Sequence, residues 1–155
     1  MRYNTGFIFL KEMKRMSIKI HWVFRCTLTL AYSCLMFLMS SQDTSSVSLP
    51  PYLDKFIHFV EFGILCFMIC WSLSPIKIGN KRIYTVIIAI AITSLYGMSD
   101  EIHQYFTPNR SVEIFDWLAD TAGAVTAGLL WKTLTSRRRN NRRPLQEKSR
   151  QKILP

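Results

Sequence analysis

Four long apolar runs, separated by polar or charged connections, dominate the hydrophobic pattern of this 155-residue chain. They cover residues 22–40, 56–73, 83–99 and 114–134. A bilayer core of about 30 Å is crossed by about 20 apolar residues in a helix, with a lower limit of about 17, and each run meets that limit. All six prolines lie outside the runs, as expected for helices whose backbone groups are satisfied within the segment. The pattern therefore predicts an all-α integral membrane bundle of four transmembrane helices.

The charged residues are segregated between these runs. Of the 20 Lys and Arg residues, 17 lie in residues 1–21, 75–82 and 132–155, and the formal net charge is +10. A basic nucleic-acid-binding domain does not separate its charge in this way, so we expect no nucleic-acid partner. Because Lys and Arg mark cytoplasmic connections, the basic segments predict that both termini are cytoplasmic (N-in/C-in), with connections 41–55 and 100–113 outside.

This orientation divides the chain into a basic cytoplasmic N-terminal segment (1–21), a four-helix membrane domain (22–134) and a basic cytoplasmic tail (135–155). The first apolar run follows a basic segment but precedes no small-x-small cleavage site, so it predicts an uncleaved signal-anchor. Met13 and Met16 are alternative starts to Met1. We expect the tail to contact anionic lipids of the inner leaflet.

The cysteines and a row of small residues are interpreted as packing features. All four cysteines lie within the first two runs, where they fit small, polarizable fillers of helix interfaces. Ala119, Gly123 and Ala127 repeat at four-residue spacing, which lets the fourth helix approach the second or third closely. Alternatively, this small-residue face of the fourth helix forms the interface of a homodimer.

Polar residues near the predicted outer ends of the helices share helical faces. Asp54, His58 and Glu61 follow an i, i+4, i+7 spacing, and Asp116 and Asp120 are four apart. With the predicted topology, these faces and the segment 100–110 converge at one membrane surface in an outward-facing polar pocket. The candidate ligand-binding residues are Asp54, Lys55, His58, Glu61, Asp100, Glu101, His103, Gln104, Arg110, Asp116 and Asp120.

Some of these positions also have a purely structural explanation. Asp54 and Asp116 lie near helix starts, where a carboxylate caps the first turn or complements the helix dipole. Glu61 and Asp120 lie deeper, where an ionisable side chain needs a partner and marks function. Arg110 is either a loop residue whose guanidinium makes its hydrogen bonds within the loop, or the cation that pairs with neighbouring carboxylates.

Three polar blocks follow one another along the chain, beginning with Asp54-Lys55, Asp100-Glu101 and Asp116-Trp117. Together they resemble the VanZ-like family of small bacterial polytopic membrane proteins, over about residues 20–131. Asp120 departs from the asparagine that is usual in this family. The resemblance implies a multi-pass protein of the bacterial cytoplasmic membrane and, for the founding member of the family, a link to resistance against glycopeptides, chiefly teicoplanin. It implies no established reaction.

Two classes of function remain open. In the first, which we favour, the pocket binds the headgroup of a cell-envelope lipid or lipid-linked precursor, and Arg110 contacts its phosphate or carboxylate. In the second, the protein is a small membrane enzyme that acts on such a lipid. The candidate catalytic residues are His58, Glu61, Asp100, Glu101 and His103. The spacing of His58, Glu61, Glu101 and His103 permits a metal site without being diagnostic of one, so we favour a hydrogen-bonded network without a metal, and the sequence identifies no cofactor.

Overall fold

The part of the chain that the structure describes contains four helices and no strand. The computed structural model describes residues 5–42, 50, 52–76, 82–108 and 112–151. The helices are α1 (Thr5–Ser40), α2 (Leu53–Leu73), α3 (Arg82–Tyr105) and α4 (Ile114–Gln151). The predicted all-α bundle is confirmed.

The helices extend beyond the apolar runs that predicted them. α1 begins at Thr5 and includes the basic segment before residue 22, α3 continues to Tyr105, and α4 continues through basic residues to Gln151. Lysine, arginine, glutamate and glutamine are good helix formers, so a helix need not end where the apolar residues end. The apolar runs therefore locate the helices but underestimate their lengths.

Three helical segments are long and apolar enough to cross a membrane: Phe9–Ser40, Leu53–Leu73 and Ile83–Tyr105. Large apolar side chains face outward from them, as in helices surrounded by lipid; Leu30 is 66% exposed and Leu95 is 65% exposed. The described part of α4 is not among these segments, because it carries two aspartates in its first turns and then many small residues. The chain is a helical membrane protein, whereas the fourth span and the N-in/C-in orientation stay predictions.

α2 contacts each of the other three helices and packs most extensively against α4. One core cluster joins α2, α3 and α4 and consists of Cys66, Cys70, Val86, Ala89 and Ala124. A second cluster joins α1 to α2 and consists of Met36, Phe62 and Leu65. Cys66 and Cys70 are fully buried, which confirms the interpretation of these two cysteines as interface fillers.

The close approach of α2 and α4 depends on glycine. A Cβ atom on Gly123 of α4 would collide with the backbone carbonyl of Phe59 on α2. A Cβ atom on Gly63 of α2 would lie 3.4 Å from the carbonyl oxygen of Gly123, at the edge of ordinary van der Waals contact. The small-residue face of α4 therefore packs against α2, one of the two partners that the sequence predicts.

The two ends of the bundle differ in their polar contacts. At one end, Arg25 Nη1 donates to the Trp71 carbonyl oxygen (3.3 Å) and to Ser74 Oγ (3.2 Å), which ties α1 to α2. The basic segments predict that this end is cytoplasmic. The opposite end, called the outer end below, is formed where α1 and α3 finish, at Ser40 and Tyr105, and where α2 and α4 begin, at Leu53 and Ile114.

Candidate functional site

At the outer end, one ammonium group joins three carboxylates from the starts of α2 and α4. Lys55 Nζ donates to Asp54 Oδ2 (2.8 Å), Glu113 Oε2 (2.7 Å) and Asp116 Oδ1 (2.9 Å). The Asp116 side chain is 8% exposed, whereas those of Asp54 and Glu113 are 39% and 43% exposed. Because Lys55 lies on α2 and two of its partners lie at the start of α4, this group fixes the two helices relative to each other.

About one turn further along α2 and α4, a histidine pairs with a fully buried aspartate. His58 Nδ1 lies 2.9 Å from Asp120 Oδ1, and the Asp120 side chain is 0% exposed. α3 leaves room for this carboxylate because residue 97 is glycine; a Cβ atom there would lie 2.6 Å from Asp120 Oδ2. A carboxylate that orients an imidazole is an arrangement found both in general bases and in metal-ligating histidines.

Glu101, in the last turns of α3, completes this deeper group. Its Oε2 accepts a hydrogen bond from the backbone N–H of Glu113 (3.1 Å). His58, Glu101 and Asp120 each offer a ligand-type atom, and these three atoms lie within 4.8 Å of one another. We call these three residues the His58 triad.

A third polar group connects the end of α3 to the end of α1. Gln104 Nε2 donates to Asp100 Oδ2 (3.0 Å) and to Ser40 Oγ (3.2 Å). His103 Nε2 lies 2.9 Å from Ser41 Oγ. These contacts hold the end of α1 against the end of α3. His103 therefore belongs to a different group from His58.

A cavity of about 490 Å³ opens between the end of α3 and the start of α4. Its lining is almost entirely apolar, with one carboxylate: Met98, Glu101, Ile102, Tyr105, Phe106, Val112, Ile114 and Trp117. The sequence predicts a polar pocket, so the apolar character of this cavity is a new finding. Glu101 links the cavity to the His58 triad, because it belongs to both.

The structure brings most of the predicted site residues to the outer end but divides them among these three groups. Of the four predicted metal candidates, His58 and Glu101 lie in the triad and His103 contacts Ser41 of α1. Glu61 is half-buried on α2, where its backbone carbonyl accepts a hydrogen bond from the Tyr32 hydroxyl (3.2 Å). Arg110 lies outside the described residues.

Glu113 is the main functional candidate that the sequence analysis missed. It lies directly before α4, and its backbone carbonyl accepts a hydrogen bond from the Asp116 N–H (2.9 Å). An acidic residue next to a helix start, followed three residues later by another, was the available signal. Gly97 was also missed, because only the packed structure shows that its missing side chain leaves room for Asp120.

A family model described as VanZ/LLP1 matches residues 4–135, which include the starts of all four helices and every residue of the groups above. Searches of the curated proteins and of the solved structures find no match for the chain.

Proposed function

Since the chain belongs to the VanZ/LLP1 family, we propose that it is a multi-pass protein of the bacterial cytoplasmic membrane that binds a cell-envelope lipid or a lipid-linked headgroup at its outer end. The observation that carries this proposal is the apolar cavity of about 490 Å³, which has Glu101 in its lining. Small-molecule sites are typically concave and mostly apolar, with a few polar groups that set orientation.

The shape and chemistry of the cavity suit a lipid chain. Tyr105 and Phe106 are 73% and 75% exposed at its rim, and Ile114 is 66% exposed, so the cavity is open at the surface of the bundle. Bulk lipid is as apolar as this lining, so filling the cavity with a chain gives little preference for one lipid over another. The polar groups beside the cavity therefore provide the selectivity.

The charge of the outer end indicates which headgroups fit. Among the described residues there, carboxylates outnumber cationic side chains, and Lys55 already contacts three of them. This favours a headgroup rich in hydrogen-bond donors, such as hydroxyl, amide or amine groups, over a bare anion. In our proposal, the ligand is a lipid-linked precursor that has both kinds of group: its donors contact the carboxylates, and Arg110 contacts its phosphate or carboxylate.

Native mass spectrometry of the detergent-purified protein tests lipid binding. We expect the wild-type protein to retain a co-purifying lipid and Ile114→Trp to retain at least about tenfold less, because an indole at the rim would narrow the opening of the cavity; a tenfold change corresponds to about 1.4 kcal/mol. Leu118→Trp is the matched control, since Leu118 is an exposed residue of the same helix outside the cavity lining. Equal lipid occupancy in the wild-type protein and Ile114→Trp would contradict the proposal.

We extend the proposal to teicoplanin tolerance, which the family resemblance implies, and a growth assay at matched expression tests it. His103→Gln and Glu61→Gln should lose tolerance in part, because each hydrogen bond contributes only about 0.5–3 kcal/mol. Arg110→Lys should lose more than its conserved charge suggests, because an ammonium group cannot reproduce the bidentate geometry of a guanidinium.

The alternative function, a small membrane enzyme acting on an envelope lipid precursor, is favoured by one observation: the pairing of His58 with the buried Asp120. In that mechanism His58 removes a proton from the attacking group, and Asp120 holds the imidazole in position. Complete loss of tolerance in both His58→Gln and His103→Gln, with Arg110→Lys harmless, would decide for the enzyme.

A further inference from the structure

Two buried carboxylates at the outer end each have an oxygen atom without a hydrogen-bond partner. Glu101 is 6% exposed and Asp120 is 0% exposed. Glu101 Oε1 and Asp120 Oδ2 are the buried side-chain atoms that have no partner in the described part of the chain. Buried polar atoms of native proteins nearly always have a partner, and a buried carboxylate oxygen without one is energetically unfavourable. A ligand that binds both oxygens would remove this cost.

Neighbouring protein groups hold the other oxygen of each carboxylate. Glu101 Oε2 accepts from the Glu113 backbone N–H, and Asp120 Oδ1 pairs with His58 Nδ1. Each of these bonds holds one oxygen of its carboxylate and leaves the other, Glu101 Oε1 or Asp120 Oδ2, without a protein partner in the described part of the chain. The nearby ammonium of Lys55 contacts three other carboxylates, so its hydrogen bonds are already used.

The three side chains are close enough to share one ion. Their ligand-type atoms lie within 4.8 Å of one another. Tetrahedral ligands about 2.0–2.2 Å from a zinc ion lie about 3.3–3.6 Å from one another, so the three side chains would have to close by at most about 1.5 Å on binding. Gly97 keeps this space open, because a side chain there would displace Asp120 Oδ2.

We propose that His58, Glu101 and Asp120 bind one divalent transition-metal ion of the Zn²⁺ type. One imidazole and two carboxylates suit such an ion better than Mg²⁺ or Ca²⁺, which prefer ligands made of oxygen alone. The two carboxylates balance the charge of the ion. Three protein ligands leave a coordination position open, and Glu101 places the site next to the apolar cavity. The proposal does not depend on lipid binding. It rests on the two buried carboxylate oxygens without a partner and on the short distances within the His58 triad.

A second acidic group serves as an internal comparison. Asp54, Glu113 and Asp116 also lie within metal-ligating distance of one another. Their carboxylates already surround the Lys55 ammonium, which takes the place that a cation would occupy. We therefore assign the ion to the His58 triad and not to this group.

Zinc binding by the full-length, detergent-purified protein tests the assignment, with Zn²⁺ alone as the probe. After metal is stripped, calorimetric titration should show one Zn²⁺ bound per chain. His58→Gln and Asp120→Asn should each lower the affinity at least about tenfold. Two matched controls should keep the wild-type affinity: His103→Gln, an imidazole outside the triad, and Asp54→Asn, a carboxylate of the second group.

X-ray absorption of the zinc-loaded wild-type protein gives a readout that needs no variant to fold. It should show nitrogen and oxygen ligands without sulfur, which separates the triad from the four cysteines of the chain. Absence of saturable Zn²⁺ binding by the wild-type protein, sulfur among the ligands, or unchanged affinity in folded His58→Gln and Asp120→Asn would each overturn the proposal.

Discussion

Gly123→Ala is expected to destabilise the bundle by about 3 kcal/mol or more, at or above the upper end of the usual cost of overpacking. The new methyl group would collide with the backbone carbonyl of Phe59, and a backbone cannot rotate away as a flexible side chain can. α2 and α4 would have to separate, and their contact is the most extensive in the bundle. Titration of the purified protein with SDS, followed by circular dichroism, measures the loss of unfolding free energy.

Gly63→Ala is the matched control for this variant. It adds the same methyl group to the other side of the same interface, but its nearest contact would be the Gly123 carbonyl oxygen at 3.4 Å. Alanine is also favoured over glycine in a helix by about 1 kcal/mol, which offsets a small steric cost. We expect a change of at most about 1 kcal/mol in the unfolding free energy. Equal stability of the two variants would show that α2 and α4 do not approach as closely as described.

Gly123 explains why the sequence predicts the helices better than it predicts the site. The apolar runs locate the helices, and the four-residue spacings of Asp54 with His58 and of Asp116 with Asp120 identify the polar residues that share a helical face. The rotation and separation of two packed helices determine which polar residues of one helix contact those of the other. That geometry is set at Gly123, where α4 contacts the backbone of α2, and helical spacing contains no such information.

The cavity illustrates a second limit of the sequence analysis. Its lining residues, such as Met98, Ile102 and Trp117, are indistinguishable in the sequence from side chains that face lipid, because both environments are apolar. The carboxylates were identified because charge is rare at membrane depth. Their division into a group around Lys55 and a group around His58 required the structure.

The group around Lys55 gives the second large prediction, for the variant Lys55→Met. Loss of the Lys55 ammonium leaves the carboxylates of Asp54, Glu113 and Asp116 close together without a cation between them. The Lys55 side chain is 23% exposed, so the pairs are neither fully buried nor at the open surface. We expect a loss of about 2 kcal/mol of unfolding free energy, between the values of about 1 kcal/mol for exposed pairs and 3–5 kcal/mol for a broken buried pair.

SDS titration again provides the measurement, and two further variants separate charge from packing. Lys55→Arg keeps the positive charge and should retain most of the stability. The double variant Lys55→Met/Asp116→Asn should recover part of the loss, because Asp116 is the most buried of the three carboxylates and its negative charge is then removed. If Lys55→Met unfolds at the same SDS concentration as the wild-type protein, the ion pairs do not hold α4 to α2. If the double variant is less stable than Lys55→Met, repulsion between the carboxylates is not the cause of the loss.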